Sequence, residues 1–594
     1  MKKIPNFLFF LGLLLPNLGC DPIEKEYTTW NVYGGSKENI RYSKLREIDT
    51  SNVIHLEKVW EFRTQDHDQY TQIQVNPIII DKVLFGVSPK LKLFALDAAT
   101  GLQKWLFDPY EVAPHEIQGA GYFSMNVCRG VTYYSDPNSK RIFYAAGSNL
   151  FCIDATTGLP ISSFGEKGRL DLHNDLDRDA SQLYIAMTSP GIIYKDLIII
   201  GSRVNEGAVA APGYIRAYDV HTGALRWKFH TIPKPGEEGY ESWEDKEAWR
   251  NVGGANAWAG FSLDEKRGIV YAPIGSASYD FYGGKRKGDN LFANSILALD
   301  AATGNRIWHF QTVHHDVWDR DLPTAPALVT IKRNGREIDA LAQPTKGGLV
   351  FLFDRTNGKA LFPIEEIEVP TVSELNGEKL APTQPWLVGI APFARQAFTE
   401  KEINPLISKE EQALIKEKLK SLSTGFTFNP PSKRGTVIFP GYDGGAEWGG
   451  PAYDPETHLL YINSNEMPWI LTMVEQQKKM DKTETNFMAG KRIYQNNCMA
   501  CHGTNKKGSG NHPSLEGVEK KYSQASFNAL IKSGRRMMPA FPQIQEADLG
   551  ALASYILGLD DKKELLFKGA TEKSNPYWDL PYTSTGYHKF LTED

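Results

Sequence analysis

The sequence is short of cysteine, of long apolar runs and of charge of either sign in excess. Its 594 residues include only five cysteines, too few for a disulfide framework in a chain of this size. No apolar stretch reaches the roughly 20 residues that cross a bilayer as a helix, which excludes a polytopic membrane protein. The 66 basic and 71 acidic residues leave a net charge of -5 with no basic block, which argues against a nucleic-acid partner. What is present is ordinary globular material, 41% hydrophobic and 23% charged. At roughly 150 residues per domain this length allows several domains or one large repeat architecture. Thirteen Trp, 26 Tyr and 52 Gly point to β structure with many tight turns. Disorder and coiled coil are excluded.

The first twenty residues, MKKIPNFLFFLGLLLPNLGC, carry a positive start at Lys2 and Lys3 and a short apolar run from Phe7 to Leu15. This is the pattern of a secretion signal and stands outside the fold. Leu18-Gly19-Cys20 resembles a lipoprotein cleavage site, although Asn17 departs from the aliphatic residue preferred there. The expectation is an exported, periplasmic chain anchored by lipid through Cys20, with plain periplasmic release as the alternative. Cys128 and Cys152 read as two buried thiols.

One pattern recurs from Pro77 to Pro363. A strand ends in Asp, a turn closes with Thr-Gly or Asn-Gly, and a second strand follows. The copies are FALDAATGLQKWLF (94–107), FCIDATTGLPISSF (151–164), RAYDVHTGALRWKF (216–229), LALDAATGNRIWHF (297–310) and LFDRTNGKALF (352–362). Asp and Thr satisfy the turn backbone, and Gly supplies positive φ. Each copy follows another hairpin, such as GIIYKDLIIIGS (191–202), so two hairpins make one four-stranded sheet. Repeated sheets with an aromatic near the last strand are the mark of a β-propeller. Five blades are expected, and a sixth begins at WGGPAYDPETHLLYINS (448–464) without its second hairpin. Val59-Trp60-Glu61-Phe62 reads as the closing strand of a blade with no strands before it. The expectation is an incomplete ring of about five and a half blades, from a truncated chain or an open propeller.

Cys498-Met499-Ala500-Cys501-His502 is a c-type haem attachment sequence. Two thiols three apart can form thioethers to the haem vinyls, and the adjacent imidazole then faces the iron. FMAGKRIYQNN (487–497) leads in as a helix, and EADLGALASYILGL (546–559) closes as an amphipathic one. Met538, 36 residues after His502 and just before Pro539, is the expected sixth ligand, with Met537 its competitor. A Met/His pair raises the iron potential, which suits electron transfer. A zinc knuckle would need a second Cys/His pair at zinc spacing, and His512 alone does not provide it. The expected division is 1–20 signal, 21–480 propeller, 481–560 cytochrome c domain and 561–594 a segment returning to the propeller.

A haem accepts one electron at a time, so a propeller joined to a cytochrome suggests a two-electron cofactor on the propeller axis. WNVYGGSKENIRYSKLREID (30–49) and VHHDVWDRDLP (313–323) resemble segments of the pyrroloquinoline quinone (PQQ)-dependent alcohol and sugar dehydrogenases, and the resemblance runs from Trp30 to Phe590. It implies an eight-bladed propeller holding the quinone in an axial funnel beside Ca²⁺ or Mg²⁺. Asp319 would be the catalytic base, taking the hydroxyl proton as hydride leaves for the quinone C5. The cation would polarise the quinone carbonyl. Lys346 would hydrogen-bond the quinone oxygens, and Trp258 would form the floor under the ring. Arg129 and Thr188 would lie near the quinone carboxylates, and Glu206 and Asp319 would bind the cation. Glu447 and Trp448 fall at the funnel without an assigned role.

Some features depart from that pattern. The alcohol dehydrogenases of the family have adjacent cysteines beside the quinone, whereas Cys128 is single. Ser276 stands where they offer Asn to the cation, leaving Glu206, Asn205, Asp319 and cofactor oxygens. This resembles the glucose and quinate branch. Asp316, Asp319 and Asp321 crowd together without a turn pattern, and His314 and His315 are either site contacts or satisfied core histidines. The expected activity is oxidation of an alcohol, sugar or polyol hydroxyl, with electrons passing to haem and then to an external cytochrome or a membrane quinone. The rival is a non-catalytic propeller lipoprotein serving as an assembly scaffold or binding platform.

Overall fold

The computed structural model describes residues 27–67, 71–113, 127–181, 183–477, 483–508, 513–534, 538, 541, 544–559, 564–569, 577, 579–584 and 588–589. Residues 1–26, which include Cys20 and the expected secretion signal, lie outside them, as do Met537 and His512. No helix among the described residues is long and apolar enough to cross a membrane.

The repeats fold as the blades of a β-propeller. Four antiparallel sheets of four strands are formed among the described residues. Blade 1 comprises Ile78–Ile80, Val83–Val87, Leu93–Asp97 and Gln103–Phe107. Blade 2 comprises Thr132–Asp136, Ser139–Ala146, Asn149–Asp154 and Arg169–Asp171. Blade 3 comprises Ile192–Tyr194, Leu197–Ile200, Ile215–Asp219 and Leu225–Phe229. Blade 4 comprises Ser262–Asp264, Ile269–Pro273, Ser295–Asp300 and Arg306–Gln311. Blade 5 keeps three strands, Ala327–Arg333, Arg336–Pro344 and Val350–Asp354. The sixth repeat is the hairpin Ala452–Asp454 with Leu459–Tyr461.

Middle strands such as Leu197–Ile200 are apolar throughout because both faces are covered by neighbouring blades. Between blades 3 and 4, Ile199, Ala217 and Trp227 meet Val270, Leu297 and Leu299 in one buried cluster. The Asp-Thr-Gly turn is the second device joining blades. The Trp105 indole N–H donates to Ala155 O at 3.1 Å, Trp227 to Ala301 O at 3.1 Å and Trp308 to Arg355 O at 3.0 Å. Each indole therefore lies on the turn of the following blade. A Cβ on Gly158, Gly304 or Gly358 would sit under 3 Å from that ring. Glycine serves the turn twice, by its positive φ and by the missing Cβ.

Three expectations need correction. Val59–Phe62 forms no strand, because no partner strand pairs with it among the described residues. Its Trp60 nevertheless lies against Gly101 as the other indoles lie on their glycines. In the second repeat, the strand expected after the turn shrinks to one bridge, Ile153 to Pro160, since proline lacks the N–H a ladder needs. Arg169–Asp171 takes its place beside Asn149–Asp154. In the fifth repeat, a single bridge from Phe353 to Ala360 remains, ahead of Pro363.

The helical unit emerges between Met473–Glu475 and Tyr582–Ser584, which pair antiparallel with each other. That two-stranded stalk packs through Met473, Leu580 and Tyr582 on Ala208, Tyr279, Phe281 and Tyr282. The unit itself holds Asn486–Asn497, Met499–His502, Gln524–Ser533 and Glu546–Ile556 around one apolar core. Thr485 and Ser523 cap two of these helices through their hydroxyls.

Candidate functional site

The residues singled out from sequence lie far apart in the chain and meet in one place. Arg129 precedes blade 2, Thr188 precedes blade 3, Glu206 lies within blade 3's long loop and Trp258 enters blade 4. Asp319 and Asp321 follow blade 4, and Lys346 sits in the turn before Val350–Asp354. Glu447 and Trp448 join them from the segment before the sixth repeat.

Arg129 is at the centre of the apolar side. It is 3% exposed, and its guanidinium lies 5.3 Å from the Trp258 ring centre and 4.9 Å from that of Trp448. Its donors reach neutral oxygens: Gln74 Oε1 at 3.1 Å, Thr188 Oγ1 at 3.0 Å and Ser189 Oγ at 3.4 Å. Burial lowers its pKa to about 10, with the nearby Arg203 adding to the fall and Tyr33 and Glu447 opposing it. A buried cation between two indoles, paired with no carboxylate among the described residues, fits a flat anionic group.

On the other side Lys346 Nζ lies 2.9 Å from Asp319 Oδ1 and 4.0 Å from Asp321 Oδ2. Burial opposes the ammonium charge, but Asp319, Asp321 and Glu447 outweigh it and hold Lys346 above its ordinary value. Burial pushes the Asp319 carboxyl well up; Asp321 and Glu206 add to this and Lys346 opposes it. Glu447 is raised by burial too, against the pull of Lys346. A buried carboxyl beside a retained cation can exchange a proton with a hydroxyl placed against it.

Sequence reasoning missed one acid here and left another without a role. Asp280, 3% exposed, is raised by burial and then by Glu206, Asp319 and Asp321. Nothing in SYDFYGG marked it. Asp321 was visible in the crowded DVWDRD run but had no role; it accepts the Trp258 indole N–H at 2.7 Å and the Ser276 amide.

Asp316 does form a turn, contrary to the expectation. Its carboxylate accepts the amides of Trp318 and Arg320 and the Ser276 hydroxyl. Ser276 is thereby turned toward Asp316 and Asn294. Asn205 Oδ1 caps the Gly207 amide. Among the described residues no three His, Cys, Asp or Glu side chains converge closely enough to hold an ion by themselves. The crowded carboxylates are nonetheless hard donors of the kind Ca²⁺ and Mg²⁺ take. Both histidines are hydrogen-bonded, His315 in the core and His314 half-buried at its edge. His315 meets Gly288 O and Glu378 Oε1, each at 2.8 Å, while His314 meets Gln311 and Glu366. Cys128 is buried against Gly130 O and raised by burial to about 11, and Cys152 by burial to about 12.

In the helical unit, burial raises the Cys498 thiol to about 12. The thiols of Cys498 and Cys501 are free, on one helical turn that ends at His502. His502 is 7% exposed, and its Nδ1 meets Pro513 O at 2.9 Å, which leaves Nε2 for an iron. Met538 packs, partly buried, on the same core. These residues fit a covalently held haem. The unit touches the propeller at Gln477, whose amide donates to Asn496 Oδ1 at 3.0 Å. After burial, the cause that raises the Cys501 thiol, to about 11, is the Glu206 carboxylate of the propeller.

Comparison with known proteins gives a family for each unit. Residues 30–517 match the model for the β-propeller domain of PQQ-dependent glucose, ethanol and alcohol dehydrogenases. Residues 485–556 match the model for cytochrome c oxidase, cbb3-type, subunit III. The quinoprotein glucose dehydrogenase of Escherichia coli is 32% identical over 75% of this chain and 57% of its own length. The quinate/shikimate dehydrogenase (quinone) of Acinetobacter baylyi is 29% identical over 80% and 61%. A solved quinohemoprotein alcohol dehydrogenase from Pseudomonas putida HK5 superposes with a TM-score of 0.57 at 25% identity, covering 76% of this chain and 59% of that one. The chain thus spans about three-fifths of the length of these relatives.

Proposed function

The chain belongs to the family of PQQ-dependent dehydrogenases and carries a cytochrome c domain, and from that premise we propose that it oxidises the hydroxyl of an alcohol, sugar or polyol. The observation that supports this reading is the buried Lys346–Asp319 pair standing beside Trp258 and Arg129.

Bound in this site, the quinone supplies a two-electron oxidant, the Ca²⁺ or Mg²⁺ a Lewis acid, and the haem a one-electron acceptor. Trp258 would give the quinone its floor, and Arg129 with Thr188 would answer its carboxylates. Lys346 would donate to the ring oxygens while holding Asp319 in place. Asp319 would accept the proton of the substrate hydroxyl. Glu206 and Asp319 would hold the cation. In the cytochrome domain, Cys498 and Cys501 would attach the haem, and His502 and Met538 would ligate its iron.

The placement of Cys501 within the electrostatic reach of Glu206 supports direct electron transfer from propeller to haem, and then to an external cytochrome or membrane quinone. The signal pattern supports export to the periplasm with a lipid anchor at Cys20. Asp319→Asn tests the assignment of the base. Loss of a general base is expected to slow substrate-driven haem reduction by about 10²–10⁴-fold while the quinone stays bound. A variant of parental rate would remove Asp319 from that role.

A further inference from the structure

The geometry points to Asp321 as a positioning residue: one carboxylate gathers the Trp258 indole N–H, the Ser276 amide and, more distantly, the Lys346 ammonium, and so fixes the plane of the pocket floor. The inference rests on the reading that a quinone lies on Trp258.

Asp319 has φ 57, and from it the chain sends both Asp319 and Asp321 toward Lys346. Arg320 between them turns away to Pro440 O and Thr427 Oγ1. Room for the Asp321 carboxylate comes from Gly275, where a Cβ would lie 2.8 Å from Oδ1. The carboxylate accepts from the indole at 2.7 Å, a charge-assisted bond that opposes rotation of the ring. Two cations lie over that ring, Arg129 at 5.3 Å and Lys346 at 6.0 Å, and attract it without setting its tilt. The Ser276 hydroxyl is held by Asp316, so the second donor to Asp321 is itself fixed. Asp321 therefore ties the floor to the loop opposite and shares the Lys346 charge with Asp319.

The test measures quinone affinity in the full-length, haem-loaded protein by fluorescence quenching with PQQ, without turnover. Asp321→Asn leaves one acceptor oxygen for two donors and is expected to weaken binding at least about tenfold. Asp321→Glu keeps the charge but displaces the acceptor and is expected to weaken binding as well; parental affinity in Asp321→Glu would overturn the proposal. In a double-mutant cycle, Trp258→Phe is expected to remove most of the effect of Asp321→Asn. Additive losses, or a loss confined to Ca²⁺ or Mg²⁺ affinity, would show that Asp321 acts through the cation or the fold instead. A second readout needs no quinone. The near-ultraviolet circular dichroism removed by Trp258→Phe is expected to differ between parent and Asp321→Asn or Asp321→Glu backgrounds, and an identical difference spectrum overturns the proposal. A parent protein that binds no PQQ would sink the quinone reading, while the dichroism still decides the role of Asp321.

Discussion

Lys346 directs its ammonium to Asp319 Oδ1 across 2.9 Å, and neither side chain is more than a tenth exposed. The pair gives the site a held cation and a carboxyl whose proton affinity is set by its surroundings. Burial, Asp321 and Glu206 push Asp319 upward, and Lys346 restrains it.

A pH dependence follows, with a definite sign. Asp319 accepts a proton only when ionised, and a raised pKa means that ionisation is completed at higher pH than for an ordinary carboxyl near 3.9. In the cation-free protein Asp319 should therefore take up its proton above the usual carboxylate range, and added Ca²⁺ should move that uptake to lower pH. A carboxyl infrared titration of cation-free protein, referenced to Asp319→Asn, that shows Asp319 already fully ionised at pH 4 would contradict this environment.

Glu206 links the two units electrostatically. Glu206 lies within electrostatic reach of Cys501, but its side chain is half exposed and pairs with Arg203 at 3.5 Å, so it should favour the ferric over the ferrous haem by a small, salt-sensitive amount. Glu206→Gln is expected to raise the haem midpoint potential in quinone-free protein. Added Ca²⁺ should raise the potential of the parent and move that of the variant less. Potentiometric titration reads both shifts; an unchanged or lower potential in Glu206→Gln would separate the haem from the propeller site.

Blade-to-blade packing makes a prediction about stability. Gly158 has φ +76, and a Cβ there would lie 2.7 Å from Trp105 Cδ2. Gly158→Ala should cost about 1–3 kcal/mol through crowding and backbone strain. The chemical-denaturation midpoint measures it, and a parental midpoint would show that the indole gives way freely.

The sequence announced those turns because their chemistry is local. Asp97 Oδ1 accepts the amides of Ala99 and Thr100 and the Thr100 hydroxyl, and Asp154, Asp219 and Asp300 repeat the arrangement. The haem motif was legible for the same reason, since its thiols and imidazole lie within one helical turn. Strand pairing was not local. Val59–Phe62 has the composition of its counterparts but no partner among the described residues, and Pro160 cut short a strand that the repeat implied. The site was half legible. Asp319, Lys346, Trp258 and Arg129 could be matched by motif, and the structure brings them together. The tasks of Asp316, Asp321 and Asp280 depended on contacts set by tertiary packing. Asp321 meets an indole 63 residues away, and Asp280 gains its environment from two other loops.

The central claim is that a quinone site and a haem share one polypeptide and exchange electrons. The most direct measurement reconstitutes the full-length protein with PQQ and Ca²⁺ or Mg²⁺, then follows the haem absorbance as alcohols, aldoses and cyclic polyols are added. Reduction of the haem that requires both PQQ and substrate is the predicted result. A haem that stays oxidised with every substrate, while quinone is demonstrably bound, would contradict the account.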